Sequence, residues 1–247
     1  MHLFRQLKEN NNLTPNYKQS VINNLSSLSN WRSPIEYKKE NYHELRYKFN
    51  GAENIEKNYS QCLQDMFVLM MTNGKTNGTY LEIGCADPFY GNNTALLEHL
   101  GWVGDSIDIS PEWEQKWAEN GRKCQIANAL EYNYTEGCIT DYLQIDCDPP
   151  TISFEVLKKI PLHNTKFRVI TFEHDHYADE TKTIREKSRK YLQSFGYELI
   201  VSDISPDEYS PYEDWWVHPD LVDIKIINIM KDISNKVKKA DNYIYNK

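Results

Sequence analysis

The sequence is short of positive charge: 28 Lys and Arg stand against 36 Asp and Glu, a formal net charge of −8 over 247 residues. Binding duplex phosphate needs a concentrated basic face, so no nucleic-acid partner is expected. Long apolar runs are also missing. None approaches the ~18–20 residues of a membrane span. The opening Met1-His-Leu-Phe-Arg5 has no apolar signal core, so a cytoplasmic location without membrane association is expected. The five cysteines (Cys62, Cys85, Cys124, Cys138 and Cys147) include no C-x-x-C and none of the paired spacings of zinc sites. They read as reduced, intracellular thiols. What remains is a chain long enough for one decorated domain, 40% hydrophobic and carrying 17 tyrosines.

Its pattern alternates strand and helix. Residues 1–57 are breaker-rich at Asn10–Pro15, suit a helix over 17–28 and become aromatic and charged over 31–48. They are expected to form an N-terminal helical extension that packs on the domain, covers the substrate or makes a homodimer contact. A helix follows over 60–71, with Ser60 as N-cap, Leu63, Phe67 and Met70 on one face, and Gln61, Gln64 and Asp65 on or near the other, solvent-facing side. Strands are expected at 79–83, 103–109, 123–127, 139–147, 167–173, 197–203 and 215–217. Helices are expected over 93–99, 111–120, 153–160 (Thr151 as N-cap), 180–195 with a solvated basic face, and 221–237, before a frayed tail over 236–247. This order predicts a doubly wound, mostly parallel α/β sheet, a main domain over 58–222, and a helix and tail over 223–247.

The residues with chemistry fall at strand carboxyl ends, where open α/β sheets bind ligands. Gly84 ends the first strand in a small-residue turn, and a residue without Cβ there allows a ligand to come close. The nicotinamide fingerprint G-x-G-x-x-G is absent, since Gly84 is followed by Cys-Ala-Asp-Pro-Phe89. Glu82 to Asp108 spans one strand–helix–strand unit of the expected ~30 residues. That puts Asp108 where an acid accepts the two ribose hydroxyls of a nucleotide. Asn128 ends the third strand, as a turn former or an adenine contact. Asp146 and Asp148 end the fourth, as a general base, a divalent-metal site or an ordinary Asp-Pro turn. The fifth strand runs into Glu173-His-Asp-His-Tyr177. His174 and His176 titrate near neutrality in such a setting and suit proton transfer or metal binding, although two such histidines also occur in plain loops.

Several segments together resemble the FkbM family of S-adenosylmethionine-dependent O-methyltransferases, a class I group. They are S-Q-C-L-Q-D-M-F-V (60–68), Y-L-E-I-G-C-A-D (80–87), N-N-T (92–94), G-W-V-G-D-S-I-D-I-S-P (101–111), L-Q-I-D-C-D (143–148), I-T-F-E-H-D (170–175) and E-D-W-W-V-H-P (213–219). The resemblance spans about 58–222. It implies a seven-stranded sheet with an antiparallel last strand, S-adenosylmethionine as cofactor, and methyl transfer to a hydroxyl of a sugar, glycan or related small molecule. It places Glu82, Gly84 and Asp87 around the methionine part, Asp108 on the ribose, Asn128 by the adenine and Asp146 between cofactor and acceptor. Cys85, Ala86, Asn93, Ile109 and Ala129 complete the expected cofactor set. Asp146 and His176 lead as catalytic base, with Asp148, Glu173 and His174 as orienters or ligands. Magnesium on Asp146, Asp148 and Asp175 is compatible with the pattern and not required by it. Cys85, Pro88 and Cys147-Asp148-Pro149 depart from the family pattern. The unusual 85–88 loop keeps open a catalytically inactive cofactor-binding module.

Overall fold

The computed structural model describes residues 33–234 and 236–246. The expected helix over 17–28 lies outside them. Pro34–Lys247 form one compact unit.

The strands are β1 (Thr79–Ile83), β2 (Val103–Asp108), β3 (Gln125–Ile126), β4 (Ile139–Ile145), β5 (Lys166–Glu173), β6 (Glu198–Ser205), β7 (Glu213–Val217) and β8 (Lys238–Lys239). They form one eight-stranded sheet in the order β3-β2-β1-β4-β5-β7-β6-β8. The pairings from β3 through β5 are parallel, and β7 runs antiparallel to both β5 and β6. The eighth strand exceeds the expected seven. It is two residues long and pairs with Ile204 and Ser205, too short to leave an alternating pattern in sequence. The order reverses at β1, between β2 and β4, which opens a crevice at the carboxyl ends of those strands.

The central strands are apolar on both faces because both are covered. Successive residues take opposite sides: Trp215 joins a core with Phe67 and Tyr243, and Trp216 joins another with Leu143, Val156 and Phe172. The helices are α1 (Gln64–Met71), α2 (Ala95–His99), α3 (Glu112–Glu119), α4 (Pro150–Lys159), α5 (Ile184–Ser194), α6 (Ile224–Met230) and α7 (Ala240–Ile244).

Five expectations need correction. All eight residues of α1 are buried, so Gln64 and Asp65 do not face solvent. The N-cap position is Leu63, not Ser60; Ser60 lies further ahead of α1, its Oγ accepting the Asp65 amide at 3.3 Å and donating to Asp65 Oδ1 at 2.5 Å. The segment around Tyr37, Leu45, Phe49 and Ile55 and the terminal Ala240, Tyr243 and Ile244 join the α1 core. A bridge between Leu45 and Tyr245 ties the two segments, so the expected frayed tail is packed. The closing helix is only Ile224–Met230, started by Asp223, whose side chain accepts from Lys225 N. Finally, α5 starts at Ile184 because the Asp179 carboxylate accepts the Thr183 and Ile184 amides at 2.8 and 2.9 Å; two of its basic residues turn inward, as described below.

Candidate functional site

The turn after β1 is fixed by main-chain geometry. Gly84 has φ +80°, and a Cβ on it would lie 1.6 Å from the Asp146 carbonyl oxygen. The glycine is thus required by the neighbouring end of β4, not only by the ligand approach expected of it. The Gly84 and Cys85 amides both donate to Ile107 O, at 2.8 and 3.2 Å. Ala86 is left-handed at φ +46°, held by its amide on Asp108 Oδ2 (2.9 Å) and its carbonyl under Trp117 Nε1 (2.7 Å).

Glu82 lies beneath this turn, 1% exposed. Its oxygens accept from Asn93 N (3.2 Å), Thr94 Oγ1 (2.8 Å) and Ser106 Oγ (2.7 Å). Burial raises its pKa, and the Arg122 guanidinium works against that rise. Glu82 therefore clamps β1 and β2 to the 92–94 loop. Asp87 closes its own turn through the Phe89 and Tyr90 amides (2.9 and 2.8 Å) and pairs with Lys116. Partial burial pushes its carboxyl up, but Lys116 and the two amides bring it below the usual range. Two residues given no role in the sequence reading organise the region. Asn92 Oδ1 accepts the Thr94 and Ala95 amides at the start of α2. Arg122 joins Asn92, Thr94 and Glu98. Asn93 Oδ1 is buried without a donor.

Asp108 ends β2, 9% exposed. Its Oδ1 accepts Ser110 N at 2.8 Å, so each oxygen takes one amide and keeps acceptor capacity, a carboxylate having about four lone-pair sites. Ile109 beside it is 68% exposed, an apolar side chain at the crevice rim. Asn128 Oδ1 accepts Leu130 N at 3.0 Å, closing a turn. Ala129 O accepts the Tyr134 hydroxyl at 2.7 Å.

Across the crevice the carboxyl ends of β4, β5 and β7 gather acids. Glu173 lies within hydrogen-bond reach of both Asp146 and Asp175. Burial is the main force on the Asp146 carboxyl, and Asp175, Asp148 and Glu213 add repulsion; its pKa is pushed up to about 8. Burial, then Asp146 and Asp175, raise Glu173; burial, then Asp148, raises Asp175 against the Glu173 side chain. Such groups titrate as a coupled set. Asp175 is left-handed at φ +42°, and its Oδ1 is buried without a partner. Asp148 is exposed at the rim. Glu213 stands opposite Glu173 in the β5–β7 register, where Gln64 Nε2 (2.8 Å) and Trp215 Nε1 (2.6 Å) donate to it. Burial raises it to about 7. The sequence reading missed Glu213 and Gln64 as parts of this edge. Their signal was present in the 60–68 and 213–219 segments, but without the strand pairing nothing linked them.

The two histidines separate. His174 is fully buried, its Nδ1 accepting from His176 N at 3.1 Å and its Nε2 lying 3.5 Å from Asp214 Oδ1. His176 is half-buried; burial, then Arg185, His174 and Lys182, lower its pKa, leaving a neutral imidazole at neutral pH. Among the described residues, one group of metal-ligating types brings its atoms within 4.8 Å: His174, Asp203 and Asp214. Its charges are already met, because Arg189 holds Asp214 (2.6 and 2.8 Å) and Asp203 (3.1 Å), and Arg185 holds Asp203 (3.0 Å). The expected metal set of Asp146, Asp148 and Asp175 is not gathered this tightly. Asp148 is exposed, whereas Asp175 is buried.

Stability should follow these shifts. Carboxyls whose folded pKa lies above the unfolded value bind protons more tightly when folded, so stability falls as pH rises between the two values. For Glu213 and Asp146 that window runs from about pH 4 to about pH 7 and pH 8 respectively. His176 and His218, both lowered, act oppositely below about pH 6.5. Six raised carboxyls (Asp65, Glu82, Asp146, Glu173, Asp175 and Glu213) outweigh them, so urea midpoints at pH 5.5 should exceed those at pH 8.5. An equal or reversed order would contradict these upward shifts.

No protein-family model and no curated protein sequence matches the chain. Among solved structures it is similar to a protein assigned as an rRNA methylase from Clostridium thermocellum, with 15% identity, a TM-score of 0.46, and coverage of 66% of this chain and 98% of that one. A SAM-dependent methyltransferase from Aquifex aeolicus shows 12% identity and a TM-score of 0.41 over 63% and 92% of the two chains. The 1,6-didemethyltoxoflavin-N1-methyltransferase of Burkholderia thailandensis, with S-adenosylhomocysteine bound, shows 13% and 0.40 over 62% and 74%. These likenesses are distant; the strand order itself is that of a doubly wound, mostly parallel sheet with an antiparallel β7 and a short added edge strand.

Proposed function

We propose that the protein transfers a methyl group from S-adenosylmethionine to a hydroxyl of a sugar, glycan or related small molecule. The observation that carries this reading is the single carboxyl edge on which the Gly84 turn, Asp108 with Ile109, and the coupled carboxyls Asp146, Glu173 and Asp175 meet. The residues present fit the cofactor. Asp108 retains acceptor capacity for two ribose hydroxyls. Ile109 offers an exposed apolar surface to the adenine, with Asn128 one residue beyond Ala127, whose amide donates to Asp108 O. Asn93 Oδ1 is a buried acceptor lacking a donor, which a ligand ammonium would supply.

The bound cofactor supplies an activated methyl group on a sulfonium. The protein's part is to align the acceptor oxygen and take its proton as the new bond forms. A carboxyl poised at about pKa 8 is a far stronger base than an ordinary aspartate, and Asp146 holds that position. Glu173 and Asp175 set its proton affinity, and the neutral His176 imidazole is the next candidate base.

Calorimetric titration with S-adenosylhomocysteine tests the cofactor half of the reading. Micromolar-range binding is expected, weakened by roughly 10- to 100-fold in Asp108→Ala, as for loss of hydrogen bonds to a charged group. Undetectable binding by the wild type, or unchanged affinity in the variant, would sink it. Repeating the titration with magnesium reads whether Asp146, Asp148 and Asp175 take up a cation.

A further inference from the structure

The five cysteines are all free, yet two of them touch. Cys85 Sγ lies 3.1 Å from Cys124 Sγ, although 39 residues separate them in the chain. The sheet creates this meeting. Cys85 follows β1 and donates its amide to Ile107 O of β2. Cys124 immediately precedes β3, whose Gln125 pairs with the same Ile107 from the other side. The two thiols thus meet across the end of β2, one residue before Asp108.

The geometry points to a modification site: Cys85 and Cys124 form a reversible disulfide under peroxide. The sulfurs need to close by about 1 Å to reach the ~2.05 Å of a covalent bond. Cys85 is 4% exposed, whereas Cys124 is half-exposed and meets the oxidant first. Contact with Cys124, followed by burial, raises the Cys85 thiol far above its ordinary value, which keeps Cys85 from reacting alone. The reaction balances in two steps. Hydrogen peroxide oxidises the Cys124 thiol to a sulfenic acid, releasing one water. Cys85 sulfur then attacks the Cys124 sulfur, the S–O bond breaks, and hydroxide leaves with the Cys85 proton as a second water. Two thiols are oxidised and one peroxide is reduced. The product ties the turn after β1 to the start of β3, across the strand that presents Asp108.

The test uses the full chain under native conditions, treated with hydrogen peroxide and mapped as non-reduced peptides. Free thiols are expected to fall from five to three, with a single 85–124 cross-link that dithiothreitol reverses and that Cys124→Ser prevents. Closing this loop should also raise Tm by roughly 5 °C. The proposal is overturned if five thiols persist, if Cys124 accumulates as sulfinic acid beside a free Cys85, or if the cross-link joins another pair. None of these readouts depends on methyl transfer, so the proposed activity stands or falls separately.

Discussion

Replacing Asp146 with asparagine is expected to lower the rate of methyl transfer by about 10²- to 10⁴-fold, the usual worth of a positioned general base, while S-adenosylhomocysteine affinity changes by no more than a few-fold. The substitution keeps the shape of the side chain and the main-chain link from Asp146 N to Ile83 O at 3.0 Å. It removes the one carboxyl pushed up to about 8 at the end of β4. The pH profile separates proton transfer from simple disruption. A base works deprotonated, so the wild-type rate should climb about tenfold per pH unit below its pKa and level off near pH 8. The variant's residual rate should lack that limb. An unchanged limb in Asp146→Asn would move the base to His176 or Glu173. An unchanged rate would remove Asp146 from the reaction.

The second large effect concerns stability. Arg189→Met should destabilise the fold by about 3 kcal/mol, the lower end for breaking a buried ion pair from one side. Arg189 binds Asp214 through two nitrogens and also reaches Asp203, and Asp214 is completely buried. Burial would raise the Asp214 carboxyl; His174 and Arg189 instead hold it far below the usual range. In the variant Asp214 keeps the Asp203 amide at 2.9 Å and His174, which limits the loss. Pairing the change with Asp214→Asn should restore part of the stability, because it removes the stranded charge. Urea denaturation of the two single variants and the double variant measures this. A fully additive cycle would mean that the pair is not coupled. The wild-type pair also has an acid limb. Asp214 is depressed when folded, so its contribution is present above about pH 4 and is lost as pH falls toward the folded value.

The same residues show why parts of the molecule were hidden in the sequence. Arg189 lies on a helix whose Lys and Arg spacing reads as a solvated face, and nothing local marks Asp203 and Asp214 as its partners. Gln64 looked polar and external, yet it lies in a fully buried helix and donates to Glu213 across 149 positions of chain. His174 and His176 looked equivalent, but one packs against Asp214 while the other reaches the edge. Asp146, Asp148 and Asp175 read as one set in sequence, but Asp148 is exposed while Asp175 is buried.

Local pattern determined the alternation of strand and helix, the placement of Gly84, Asp108, Asn128, Asp146 and Glu173 at strand ends, and hence a sheet with one chemically active edge. Those features depend on side-chain period and turn chemistry, which act over a few residues. The tertiary structure alone decided the added β8, the docking of both flanking segments on α1, the inward turn of Arg185 and Arg189, and the contact of Cys85 with Cys124. Each is a long-range pairing, and a carboxyl's proton affinity or a thiol's partner depends on which distant groups share its low-dielectric surroundings.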